Sequence, residues 1–228
     1  MGGSGGVTDR LQGRGASHDS CMAGPEFSMF RNYVCLLLVA LLLSACAAPP
    51  VVPGTKRLAY WDARRILLSK LKSWKLSGRI GIELPKEAWS ASLRWTQDHD
   101  NYQLRLIAPF GRGTYELRGG NGQVVLQTPK NKVYSAPSAE ALLQRNLGWQ
   151  VPVSGLRYWV RGLPEPGQRP RTVVLDDHGR VSNLEQDGFK VRYEQYQTVQ
   201  GYDLPRRITL DNSKIRVKLL INSWSVPS

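Results

Sequence analysis

Trp74-Lys75-Leu76-Ser77-Gly78-Arg79-Ile80-Gly81-Ile82-Glu83-Leu84 decides the fold of this chain. Its even positions are apolar or glycine and most odd ones are polar, the period of two that gives a strand one apolar and one wet face. Pro85-Lys86 turns the chain, and the alternation resumes with Trp89, Ala91, Leu93 and Trp95 against Ser90, Ser92, Arg94 and Thr96. Beyond Asp98-His99-Asp100-Asn101 come Tyr102, Leu104, Leu106 and Ala108. Tyr115 and Leu117 follow Pro109-Phe110-Gly111, and Val124 and Leu126 follow Gly119-Gly120-Asn121-Gly122. Amphipathic strands joined by short turns describe an antiparallel sheet.

Two helical segments interrupt the run. Ser138 stands where an N-cap belongs, ahead of Leu142, Leu143 and Leu147, and Ser154 stands likewise ahead of Leu156, Trp159 and Val160. Gly162-Leu163-Pro164 stops the second. Strands return at Thr172–Leu175, Val181–Glu185, Phe189–Tyr196, Arg207–Leu210 and Lys214–Ile221. An opening helix is expected over Lys56–Lys72, with Leu58, Trp61, Leu68 and Leu71 at helical spacing. The expected fold is mainly β (α+β), an open, incomplete antiparallel β-barrel of about 10–11 strands covered by a few helices. Under such a cover lies either an ordinary core or an internal hydrophobic cavity, and the pattern does not choose. The candidates to line a cavity are Trp74, Leu76, Ile80, Ile82, Trp89, Leu93, Trp95, Leu104, Leu106, Tyr115, Leu142 and Trp159.

Upstream, the apolar run Val34–Leu43 follows Met29-Phe30-Arg31 and ends in Leu43-Ser44-Ala45-Cys46. It is well short of the roughly twenty residues that a spanning helix needs. A charged start, a short apolar core and small residues before the cut describe a secretory signal peptide. The cysteine at the cut resembles the lipobox of bacterial lipoproteins, which implies that Cys46 is lipidated and becomes the mature N-terminus. The expected organisation is an upstream extension foreign to the native protein (1–28), a signal peptide (29–45), a lipid-anchored tether (46–57) and a single domain (58–228). Cys21 and Cys35 leave with the leader, so Cys46 has no partner for an internal disulfide. The leader carries Arg10, Arg14 and Arg31 against Asp9, Asp19 and Glu26, so the formal charge of +13 belongs to the mature part. That charge asks for an anionic partner, a phospholipid surface or an acidic protein, and export argues against nucleic acid.

Catalytic constellations do not assemble. There is no Gly-x-Ser-x-Gly elbow, and the mature chain has only His99 and His178, both in polar turns, so spacing builds neither a zinc site nor a nucleophilic dyad. Gly111-Arg112-Gly113 lacks the strand–helix context of a phosphate loop. The loop Ala108-Pro109-Phe110-Gly111-Arg112-Gly113 breaks a rule of its own, because turn tips normally carry polar residues. Its phenylalanine either tucks into the core or stands out to meet an apolar partner, and the pattern by itself favours tucking.

Together these residues resemble the LolB family of outer-membrane lipoprotein receptors, among the LolA/LolB lipoprotein-sorting proteins. The resemblance rests on the lipobox, Tyr60-Trp61, Trp74-Lys75-Leu76-Ser77-Gly78-Arg79, the Ala-Pro-Phe-Gly loop, Leu156-Arg157-Tyr158-Trp159-Val160-Arg161-Gly162-Leu163-Pro164 and Ile221-Asn222-Ser223-Trp224. It implies an open barrel with a hydrophobic cavity under helices. It also implies a monomeric, non-enzymatic receptor with no cofactor beyond the acyl chains of its cargo. Such a receptor takes triacylated lipoproteins from a LolA-type periplasmic carrier and releases them into the inner leaflet of the outer membrane. It is held at that membrane, facing the periplasm, by the lipid on Cys46. The alternative is a lipid or glycolipid carrier lipoprotein of the same fold. The family has an exposed apolar residue, typically leucine, in the loop matching Pro109-Phe110-Gly111, where it is implicated in delivery; this reverses the preference for a tucked Phe110. Burial is worth roughly 0.8 kcal/mol per methylene, so three acyl chains could not cross water uncovered.

Overall fold

A strand leaves backbone donors and acceptors open on both flanks, and this chain satisfies them by doubling back at each turn. The computed structural model describes residues 54–227 except Asn121. The leader, Cys46 and the tether up to residue 53 lie outside the described residues. Among the described residues three helices, α1 (Gly54–Lys70), α2 (Ala139–Leu147) and α3 (Val153–Trp159), accompany eleven strands. The strands are β1 (Ser73–Glu83), β2 (Ala88–Asp98), β3 (Asn101–Ile107), β4 (Thr114–Gly120), β5 (Gln123–Gln127), β6 (Val133–Ala136), β7 (Thr172–Leu175), β8 (Val181–Gln186), β9 (Phe189–Val199), β10 (Tyr202–Asp211) and β11 (Arg216–Ser225). Among the described residues no helix is long and apolar enough to cross a membrane.

The strands form one antiparallel sheet in the order β6-β5-β4-β3-β2-β1-β11-β10-β9-β8-β7. First and last strands pair at its centre, while β6 and β7 are edges that do not meet. The barrel is therefore open. In β1, Trp74, Leu76, Ile80 and Ile82 are buried while Lys75 and Arg79 face out, as the alternation requires. Gly78 sits where the β1–β11 register shifts; a Cβ there would come within 2.1 Å of the Leu220 carbonyl oxygen.

Hairpins of a meander alternate between two rims. The β1–β2, β3–β4, β5–β6, β8–β9 and β10–β11 turns share one rim, and the β2–β3, β4–β5, β7–β8 and β9–β10 turns the other. Helix α1 lies against the second. Arg57 pairs with Asp177 of the β7–β8 turn at 3.6 Å, Arg64 pairs with Asp203 of β10 at 3.2 Å, and the His99 amide donates to the Lys72 carbonyl at 3.0 Å.

Several expectations need correction. Helix α1 starts at Gly54, so the boundary expected at residue 58 falls inside it. Leu68 and Leu71 are buried and Trp61 half-buried, but Leu58 is exposed with Ile66 and Leu67. Ser138 caps α2 as expected, its Oγ accepting from the Ala141 amide. Ser154 does not cap α3; it lies inside the helix, and its amide donates to Glu140 Oε1 of α2 at 3.0 Å. A carboxylate from the neighbouring helix thus does the work of the cap.

Candidate functional site

The concave face of the sheet and the α2–α3 pair enclose an apolar cavity. Its floor comes from Ile80, Ile82, Leu104, Leu106, Tyr115, Leu117 and Leu126, and its roof from Leu143, Leu147, Trp149, Val151, Val153 and Leu156. Five of the twelve candidate side chains meet there: Ile80, Ile82, Leu104, Leu106 and Tyr115. The others pack elsewhere in the core. Trp74 lies between Trp95, at 5.1 Å, and Trp224, at 5.3 Å. Trp159 packs on Phe189 at 5.8 Å, and Trp89 supports the cavity from behind through Trp149, at 4.8 Å. Leu76, Leu93 and Leu142 are buried away from the cavity lining. Trp149 and Val151 were missed because a loop between two short helices has no period to betray an inward face, and Val153 because it opens the short helix α3.

The free space in the cavity is about 30 Å³, room for no more than about two waters. Nothing as long as an acyl chain enters it without side chains giving way.

The two roof helices are held differently. The end of α3 is fastened: Trp159 Nε1 donates to Gln186 Oε1 at 2.9 Å, and Tyr193 donates from its hydroxyl to the Trp159 carbonyl at 2.9 Å. Just beyond it, the buried Arg161 guanidinium donates to the Leu71 carbonyl at 2.7 Å and to the Leu68 carbonyl at 3.2 Å. Its Nε donates to the Arg157 carbonyl, and its charge lies over the Tyr158 ring. Burial brings its pKa down to about 10, which still leaves it charged at neutral pH. By contrast, no side-chain hydrogen bond ties α2 to the sheet among the described residues. Helix α2 meets the sheet through apolar contact and is tied to α3 by the Glu140–Ser154 hydrogen bond.

On the opposite rim from α1, Pro109-Phe110-Gly111 forms a single 3₁₀ turn. The Phe110 side chain is 94% exposed. Its backbone is left-handed, φ 56°, and Gly111 follows at φ 68°. A phenylalanine held there sits in a region that costs roughly 1–2 kcal/mol for a residue with a Cβ.

The fold, an open antiparallel sheet with a helical pair on one face, is shared with solved structures. A LolA superfamily protein from Nitrosomonas europaea superposes with a TM-score of 0.51 at 13% identity, covering 78% of this chain and 94% of that one. A putative outer-membrane lipoprotein-sorting protein domain from Vibrio parahaemolyticus gives 0.53 at 12% identity, covering 77% and 94%. The family described as outer membrane lipoprotein LolB matches residues 72–224, and the chain belongs to it. Outer-membrane lipoprotein LolB of Pseudomonas fluorescens is 42% identical over 86% of this chain and 97% of its own length. The Nitrosococcus oceani protein of that name is 39% identical over 84% and 96%.

Proposed function

We propose that this chain is an outer-membrane receptor that accepts triacylated lipoproteins from a LolA-type periplasmic carrier and inserts them into the inner leaflet. Family membership supports the broader role in outer-membrane lipoprotein sorting. The observation that carries the finer reading is Phe110, an almost wholly exposed aromatic on a strained turn. No covalent step is required. The cargo's acyl chains enter beneath the roof, α2 lifts because only apolar contact holds it to the sheet, and the fastened α3, linked to it through Glu140, keeps the two helices in register with the sheet.

A nearly filled cavity suits a relay. Each chain that enters must displace side chains already packed against one another, so part of the burial energy is spent on opening. The complex is then weaker than the same chains in a bilayer, where each buried methylene still contributes roughly 0.8 kcal/mol. Insertion becomes the downhill step once Phe110 meets the lipid surface. Lipid on Cys46 keeps the receptor, as a monomer facing the periplasm, at the membrane where that step occurs. The acyl chains of the cargo are the only ligand this reading needs.

The test is in-vitro transfer of a triacylated lipoprotein from carrier to receptor and on to liposomes. Phe110→Glu is expected to accept cargo and fail to deliver it. Normal insertion by that variant would remove the role given to the loop.

A further inference from the structure

Beside Phe110, the β3–β4 loop and the β5–β6 turn interlock. Gly113 leaves room for Pro129, whose Cβ lies only 2.4 Å from where a Gly113 Cβ would be. Between them opens a cleft of about 340 Å³. Arg112, Lys130 and Lys132 line it with Tyr115, Tyr134 and Asn146, and no carboxylate belongs to its wall.

Some cations of the sheet are matched: Arg105 and Arg118 share Glu116, Arg216 and Lys218 share Glu83, and Arg207 faces Glu194. Others, such as Lys75, Arg79 and Arg94, stand unpaired among the described residues along strands β1 and β2; what sets the three cleft cations apart is that they gather round one cavity. Among the described residues, Arg112, Lys130 and Lys132 have no carboxylate within 4.0 Å. The cleft is also rimmed by apolar groups that ordinary surfaces cover. Phe110 is 94% exposed, Val133 63% and Tyr134 37%. Cations set just behind exposed aromatic and aliphatic groups match a bilayer interface, where apolar tips enter the acyl region and Lys and Arg stay with phosphates.

We propose that this cleft seats the phosphate headgroups of anionic phospholipid, so that the Phe110 rim engages the leaflet through charge as well as apolar contact. The inference deepens the reading of Phe110 as the membrane-directed tip. It assigns part of the +13 charge to lipid rather than to a protein partner. Each basic residue at an anionic surface strengthens partitioning by about fivefold, so the three together amount to about a hundredfold, screened by salt.

The experiment uses the processed, lipidated protein in vesicles of phosphatidylcholine, with or without phosphatidylglycerol at one part in four. With Cys46 acylated and the leader gone, Val133→Cys provides one free thiol for a fluorophore, read by quenching from brominated acyl chains. Phosphatidylglycerol should increase quenching in the parent protein, and added salt should reverse the increase. The combined variant Arg112→Gln, Lys130→Gln, Lys132→Gln should lose the phosphatidylglycerol response. A control with Lys75→Gln, Arg79→Gln and Arg94→Gln on the outer sheet face removes equal charge and should keep it. Unchanged thermal midpoints confirm that both are folded. A triple cleft variant that responds like the parent, or a control that loses as much, overturns the site. No cargo is present, so this result is separate from the delivery assay of Phe110→Glu.

Discussion

Phe110 unites two properties that stability alone would not select, full exposure and a left-handed backbone. Replacing it by glycine relieves the backbone and loses no packing. Phe110→Gly should therefore raise stability by about 1 kcal/mol in denaturant melts and still abolish delivery to liposomes. A variant both more stable and inactive separates function from fold more sharply than a destabilised one. Glu116 makes a different residue-scale statement. Burial raises its pKa, but hydrogen bonds from Gln103 and Arg118 and the charges of Arg118 and Arg105 outweigh it, leaving the pKa below the usual carboxylate range. The unfolded chain then binds this proton more readily than the folded one, so the stabilisation is complete above the ordinary value of 4.5 and lost as pH falls through the lower folded value. Glu116→Gln should flatten that part of the acid limb in a series of thermal melts. The sequence marked Phe110 as out of place but could not say which way it points, because one aromatic in a turn carries no periodicity.

Elements differ in how much of themselves they announce. Nearly every strand with an alternating face was legible, because burial on one side imposes a period of two. Strand β6 was not: it is a four-residue edge with three exposed positions, so no inner face shows in its sequence. The start of β10 was hidden by Pro205, which reads as a breaker, yet it sits where the β9–β10 register shifts. Helix α1 misled in another way, since Leu58, Ile66 and Leu67 are apolar yet exposed. The fastening of α3 was invisible, because Arg161 meets α1 some ninety residues away in sequence. Arg161→Met should strand buried carbonyls at the end of α1 and cost about 3 kcal/mol in a denaturant melt, with Arg161→Lys restoring only part because ammonium lacks the planar fork. The roof helices should also part company dynamically. Amides of α2 should exchange with deuterium sooner than those in the last turn of α3, and loading with a triacylated lipoprotein should alter α2 far more.

At the scale of the whole molecule, the open barrel was legible while the size of its cavity was not. Alternation says which residues face inward; it cannot say how tightly they close. The same holds for rims, since only strand order shows that Phe110 and the start of α1 lie at opposite ends of the sheet. That separation has a consequence for a receptor lipidated on Cys46. The chain from Cys46 to Gly54 reaches at most about 28 Å when fully extended. The seven-residue strand β3, which climbs from the second rim to the Phe110 loop, is about 23 Å long. Deleting Pro49–Val52 should leave acceptance from the carrier intact and abolish delivery to vesicles, whereas inserting a glycine–serine segment of equal length should be harmless. If Cys46 is anchored and Phe110 touches the bilayer at once, as proposed, the tether is nearly taut and leaves the receptor little freedom to rise from the surface.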